Sequence, residues 1–322
     1  MTAATSGSGG LAAGRGASAG QAGGSTAGVA GSQPTAAGSS AGAAGSGMAG
    51  MVAVAGSGGG MAGITGMPAA GSGGDALLEC AGGTMGKASN AGGVTGRGNG
   101  NVQFTVAAGN QILHLRTTME VPIKPNGTQT LFLWPGLEPL QGENYQPIGT
   151  GVLQPVLTWG GSCAPGSPPT RTGSNWWISA QYVNTLTSDA EHRGCHGGPV
   201  MDVAIGDQLL IDMSVNGTIW NQTITNQANT KSVDFDMDMN KQPQRWALFE
   251  IETPTSTKPA ADVVFTNTVM TFEKPEAKAC QPNARGADDY FSTPIASSDG
   301  LKCCVARIVL RMQGAMHTTM DP

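Results

Sequence analysis

Charge is scarce in this chain. Asp, Glu, Lys and Arg make up 12% of its 322 residues, and Arg15 is the one charged side chain between Met1 and Gly74. Lys and Arg form no run or patch, which argues against nucleic acid as a partner. Long apolar runs are also lacking. The uncharged stretch "MAGMVAVAGSGGGMAGITGMPAAG" is loaded with Gly and Ser and has no sustained series of large side chains, so no transmembrane segment is expected there. The opening "MTAATSGSGGLAAGRGASAG" offers neither a basic start nor an apolar middle, so no export signal is visible in it. Helical periodicity is nearly absent from the rest of the chain.

What is present divides into two unlike parts. From Met1 to Gly74 the chain is mostly Gly, Ala, Ser and Thr with scattered Met, and residues 1–79 are taken together as one low-complexity segment. Such text cannot bury enough apolar surface to offset the entropy of ordering it, and it reads as a disordered linker or stalk. From Cys80 onward aromatic and β-branched residues come in short runs, and 80–313 is long enough for one all-β domain, with 314–322 as a tail. The six cysteines, Cys80, Cys163, Cys195, Cys280, Cys303 and Cys304, all belong to this part. An even count in Gly/Pro loops fits disulfides and an oxidising compartment, hence a secreted or cell-surface protein. Cys163 and Cys195 flank the strand "NWWISAQYV" and form the expected pair, although six cysteines permit about 15 connectivities.

Short alternations bounded by Gly, Pro, Asn and Asp predict strands at 102–107, 111–117, 130–137, 151–159, 175–183, 200–205, 208–215, 218–225, 232–239, 245–252, 262–272 and 304–312. A dozen strands joined by turns such as Gly206-Asp207 and Asn216-Gly217 predict an antiparallel sandwich of two sheets.

Most of the usual chemistry finds no support. No GxSxG occurs, and the sequence assigns no acidic partner to His114, His192, His196 or His317, which disfavours a Ser/His/Asp hydrolase. "HRGCHGG" could be half a zinc site, but Cys195 completes the even cysteine count and no second ligand pair follows. Asp234, Asp236, Asp238 and Asn240 alternate with Phe235, Met237 and Met239, which reads as a strand with one solvated acidic face rather than a calcium loop. No metal and no cofactor are expected.

Two features stand out. In "RWALFEIET" a strand puts Trp246, Leu248, Glu250 and Glu252 on one face and Ala247, Phe249 and Ile251 on the other, so two carboxylates project away from a core-facing row. In "GVLQPVLTWG", Gln154 shares a face with Val152 and Val156, while Pro155 interrupts the strand with a residue that cannot donate.

Taken in order, these pieces resemble the eqolisins, the glutamic peptidase family with a concanavalin A-like sandwich. Trp134-Pro135-Gly136-Leu137-Glu138 is similar to that family's W-x-G-[IL]-D segment, with Glu in place of Asp. Leu153-Gln154-Pro155 resembles its L-Q-T-G strand, Trp176-Trp177 its aromatic strand, and "AIGDQLLIDMSV" its Gly-Asp turn and amphipathic strand. "FEIE" matches the W-I-V-E ending, and "DVVFTNTV" and "ARIVLRMQG" resemble the closing strands. The resemblance implies that Glu252 is a general base and acid acting on water, with the Gln154 amide as donor to the developing oxyanion. An alternative alignment gives Glu250 that place. Pro155 and Val156 replace the family's Thr and Gly, and Ser179 stands where the family carries an acid. Trp134, Glu138, Trp176, Trp177, Tyr182 and Trp220 are the candidate substrate-binding residues. The implied function is an acid endopeptidase acting on polypeptides. A non-catalytic module binding carbohydrate or protein through those aromatics is the alternative, and a glycoside hydrolase using Glu250 and Glu252 a weaker one.

Overall fold

The computed structural model describes residues 85–87 and 100–318 apart from 141–144, 146–147, 168–172, 285–288, 313–314 and 317. The expected stalk over 1–79 lies outside the described residues. The described residues form strands, with one turn of 3-10 helix among them at Ala277–Cys280.

In chain order the strands are β1 (Met85–Lys87), β2 (Asn101–Thr105), β3 (Ile112–Glu120), β4 (Leu131–Glu138), β5 (Val152–Trp159) and β6 (Trp176–Asn184). There follow β7 (Gly194–Gly197), β8 (Met201–Val203), β9 (Gln208–Asn216), β10 (Ile219–Asn226), β11 (Ser232–Asp238) and β12 (Trp246–Glu252). The last are β13 (Val263–Phe272), β14 (Asn283–Ala284), β15 (Tyr290–Ser292), β16 (Ile295–Ala296) and β17 (Lys302–Leu310). Each of the twelve strands expected from the sequence is present. The short strands β1, β7, β14, β15 and β16 were not expected: they have two to four residues, too few to show an alternation.

All described pairings between these strands are antiparallel and build two sheets. The first runs β1-β15-β17-β13-β3-β9-β10-β11, with β16 beside β17. The second runs β14-β2-β12-β4-β5-β6-β7, with β8 beside β6. One continuous core lies between them. Met119, Leu209, Ile211, Met213, Trp220, Phe265 and Ile308 come from the first sheet, and Phe104, Leu133, Leu153, Leu157, Ile178 and Phe249 from the second. Strict alternation decides which residues reach it. In β9, Leu209, Ile211 and Met213 are buried and the residues between them are not.

Two disulfides join described residues, Cys163–Cys195 and Cys280–Cys303, and Cys304 is disulfide-bonded as well. The first is the pairing expected from the sequence, and it removes Cys195 from any zinc site. Asp234, Asp236 and Asp238 lie on the exposed side of the edge strand β11, with Val233 and Met237 turned inward. No described helix is long and apolar enough to cross a membrane.

The candidate site on the outer face of the second sheet

Residues paired across an antiparallel ladder share a face, so the register lays out a grid. From β12 to β4 the outward pairs are Trp246↔Glu138, Leu248↔Gly136, Glu250↔Trp134 and Glu252↔Phe132. From β5 to β6 they are Val152↔Val183, Gln154↔Gln181, Val156↔Ser179 and Thr158↔Trp177. On the other side of β12, Asn101, Gln103 and Thr105 of β2 face Glu250, Leu248 and Trp246. Glu250, Glu252 and Gln154 therefore project from one face of one sheet, opposite the core.

The ladder between β4 and β5 is broken. It pairs Leu133↔Leu157 and then Leu137↔Leu153, with nothing recorded between. Continuing the register through the gap places Pro135 opposite Pro155, and Gly136 opposite Gln154. Each proline keeps its place in the ladder on its other side, Pro135 with Phe249 and Pro155 with Ala180. Their nitrogens thus point at one another across the gap, and neither can donate. Both rings face the core, so the break costs hydrogen bonds but leaves the outward row intact.

Gly136 is needed for what sits above that break. A Cβ there would lie 2.8 Å from Cζ3 and 2.9 Å from Cε3 of Trp134, and 3.1 Å from the Leu153 carbonyl oxygen. The Trp134 indole thus leans over Gly136, between Gln154 on one side and the glutamates on the other. Its Nε1 donates to Oε2 of Glu252 at 3.3 Å. Trp134, Val156, Trp246 and Leu248 form an apolar cluster on this face, with Phe132 and Val152 packed against it. Burial there pushes the Glu252 carboxyl above the usual range, and the Trp134 hydrogen bond opposes the shift only in part.

The two glutamates differ in their distance from the amide. At strand and residue spacings, Gln154 and Glu250 stand about 12 Å apart along the backbone and Gln154 and Glu252 about 16 Å apart. Two extended side chains and one water span the first separation far more readily than the second. Gln154 is 9% exposed, and no described residue hydrogen-bonds its amide. Glu138 is similarly buried and closes the row next to Val152.

The proposed aromatic platforms are not on the surface. Trp176, Tyr182 and Trp220 belong to the core between the sheets. Burial pushes the Tyr182 phenol up to about 12, and its hydroxyl accepts a hydrogen bond from Asn184 at 2.9 Å. Trp177 faces outward but is fully buried, its Nε1 donating to the Gly160 carbonyl at 3.0 Å. None of the four can stack on a ligand as the structure stands. The physical reason is the burial of large aromatic area, which core packing claims first. Ser179 is also buried and accepts from Gln181 Nε2 at 2.8 Å.

Two histidines have acidic partners that the sequence did not reveal: His114 Nε2 lies 2.8 Å from Asp212, and His192 Nδ1 lies 2.9 Å from Asp189. Among the described residues no serine bonds to either ring, and His192 Nε2 is occupied by the Asp238 carbonyl at 2.7 Å. A cavity of about 700 Å³ borders Thr105, Cys280, Gln281 and Phe291, beside the Cys280–Cys303 disulfide and away from Gln154.

No protein-family model and no curated protein sequence matches the chain. Among solved structures it is similar to scytalido-glutamic peptidase with a peptide-based transition-state analogue, at 10% identity and a TM-score of 0.39, over 71% of this chain and 100% of that one. It is similar also to SCP-B, a member of the eqolisin family of peptidases in complex with the tripeptide Ala-Ile-His, at 12% identity and a TM-score of 0.37, over 71% and 100% of the two chains. A third likeness, to the enzymatically active domain of bacteriophage CBA120 tailspike protein 2, covers 53% of this chain and 23% of that one at 11% identity and a TM-score of 0.32.

Proposed function

We propose that the outer face of the second sheet hydrolyses peptide bonds at acidic pH, with Glu250 and Glu252 as the working carboxyl groups and Gln154 as the amide donor. The observation that carries this reading is the shared face: two carboxyl groups two residues apart on β12, and a nearly buried amide on β5 with no hydrogen-bond partner among the described residues. Such an amide is left able to donate to a bound carbonyl oxygen.

The division of labour follows from position. Glu250, nearer Gln154 on the grid, takes a proton from the attacking water as its oxygen bonds to the peptide carbonyl carbon. The Gln154 amide donates to the oxygen on which negative charge develops. Glu252, whose burial favours the neutral form, gives a proton to the departing amine. Trp134 covers the ground between them, so substrate entry requires the indole to swing off Gly136. The disulfides suit an oxidising compartment, and the reading includes a secreted or surface-tethered protein whose first 79 residues act as a stalk.

The test is digestion of an unfolded protein at pH ~3 to 5, a range bracketing ordinary carboxyl titration, by wild type and by Gln154→Ala, Glu250→Gln and Glu252→Gln. The expected result is cleavage by the wild type and a loss of about 100-fold or more in each variant, the scale of removing one oxyanion donor or proton-transfer group. Equal cleavage by all four, or none by the folded wild type, overturns the reading.

A further inference from the structure

Glu250 is not held by its own strand alone. Asn101 stands opposite it in the ladder, and Asn101 Nδ2 donates a hydrogen bond to Glu250 Oε2. Asn101 is 8% exposed, and its Oδ1 is buried without a hydrogen-bond partner. An acceptor stranded in that way is costly. Turning the amide over would press one acceptor against another at the Glu250 carboxylate. The orientation is therefore set by Glu250, and the stranded oxygen is its consequence.

The backbone of Asn101 is fixed as well. Its N–H donates to Oδ2 of Asp289 at 2.9 Å, and Oδ1 of the same carboxylate accepts from the Arg311 N–H at 2.9 Å. Asp289 is fully buried. Arg311 Nε in turn donates to the buried Asp262 at 3.2 Å, and its guanidinium lies 4.2 Å from the centre of the Tyr290 ring. A chain of buried contacts thus runs from Asp262, just before β13 of the first sheet, to the β2 side chain that donates to Glu250.

We infer that Asn101 is a positioning residue of the proposed site, fixing the Glu250 carboxylate where it can take a proton from water. The inference rests on the assignment of Glu250 as the base. An amide N–H aimed at a carboxylate favours its charged form, which a base requires. Removing the donor takes away one of the contacts that hold the side chain and weakens that preference.

The experiment compares wild type, Asn101→Ala and the nearly isosteric Asn101→Asp in two measurements. In steady-state proteolysis, kcat is expected to fall about 10- to 100-fold, the scale of a small misplacement of a reacting group, while KM stays within about twofold. The acid limb of the pH–rate profile is expected to move to higher pH in both variants. A carbon-13 NMR titration of the Glu250 carboxyl needs no activity, and its midpoint is expected to move the same way. A residue that only supports the fold would lower thermal stability and leave both the pH profile and the midpoint in place, which overturns the inference. An inactive wild type sinks the peptidase reading, yet the titration still decides whether Asn101 controls Glu250. If Asn101→Ala does not fold, Asn101→Ser, which removes the amide donor without adding a charge beside Glu250, carries both measurements.

Discussion

Glu252 shows how much one residue's surroundings alter a carboxyl group. It stands two positions from Glu250 on the same strand face, half-buried against the Trp134 indole, and desolvation there pushes it toward its neutral form. The sign of the stability effect follows directly. Between the ordinary glutamate value and the raised folded value, the native protein keeps a proton that the unfolded chain has released, so stability falls as pH rises through that window. Below the window both states are protonated and the penalty is absent. Glu252→Gln keeps the shape and the acceptor for Trp134 but cannot ionise. Its urea midpoint is expected to equal the wild type's near pH ~4 and to exceed it near pH ~7, above ordinary carboxyl titration. Equal midpoints at both pH values would show that the Glu252 carboxyl is not desolvated in solution.

At the scale of elements, the decisive feature is the proline pair between β4 and β5. One proline in a central strand would leave one donor missing, whereas two in facing positions concentrate the loss at one rung. The rungs on either side, Leu133↔Leu157 and Leu137↔Leu153, remain paired. The gap lies beneath Gly136 and Gln154, so the row bearing the amide rests where the β4–β5 ladder is interrupted. Pro155→Val returns one N–H, directed at the Pro135 carbonyl. Hydrogen exchange followed by NMR is expected to show the new Val amide protected on the timescale of its neighbours in β5. The gain of one hydrogen bond, about 0.5–1.5 kcal/mol, is offset in part by the greater freedom of the unfolded chain without proline, about 0.4–1 kcal/mol. A freely exchanging amide would mean that β4 and β5 are splayed rather than merely lacking a donor.

At the scale of the whole molecule, the disulfides close loops that the sheets alone leave long. Cys163 and Cys195 are separated by 32 residues, and their bond ties the turn after β5 to the edge strand β7, beside the outward side chains of β6. Gly198 follows directly. A Cβ there would lie 2.1 Å from the Asp234 carbonyl oxygen, so backbone from the edge of the second sheet runs against β11 of the first. The Cys163→Ser/Cys195→Ser double variant is expected to lose about 3–4 kcal/mol of stability by the loop-closure relation, measured by urea unfolding under non-reducing conditions. A loss well below 1 kcal/mol would mean that the β6–β7 edge is held by packing and not by the covalent link.

The sequence by itself determined the all-β class, the twelve longer strands and the faces of β5 and β12. Alternation with a period of two is written locally and needs no partner strand to be read. That is why Glu250, Glu252 and Gln154 could be placed away from the core before any pairing was known. The Cys163–Cys195 bond was legible for a related reason, since both residues flank one strand. Tertiary structure alone decided the rest. The burial of Trp176, Tyr182 and Trp220 depends on the second sheet packing over them, and aromatic strands read the same whether they face a core or a ligand. The partners of His114 and His192 depend on ladder register and a folded loop. The gap formed by Pro135 and Pro155 needs two strands brought into one register, and the grip of Asn101 on Glu250 joins residues 149 positions apart. A local pattern fixes which way a side chain points, but only long-range pairing fixes what it meets.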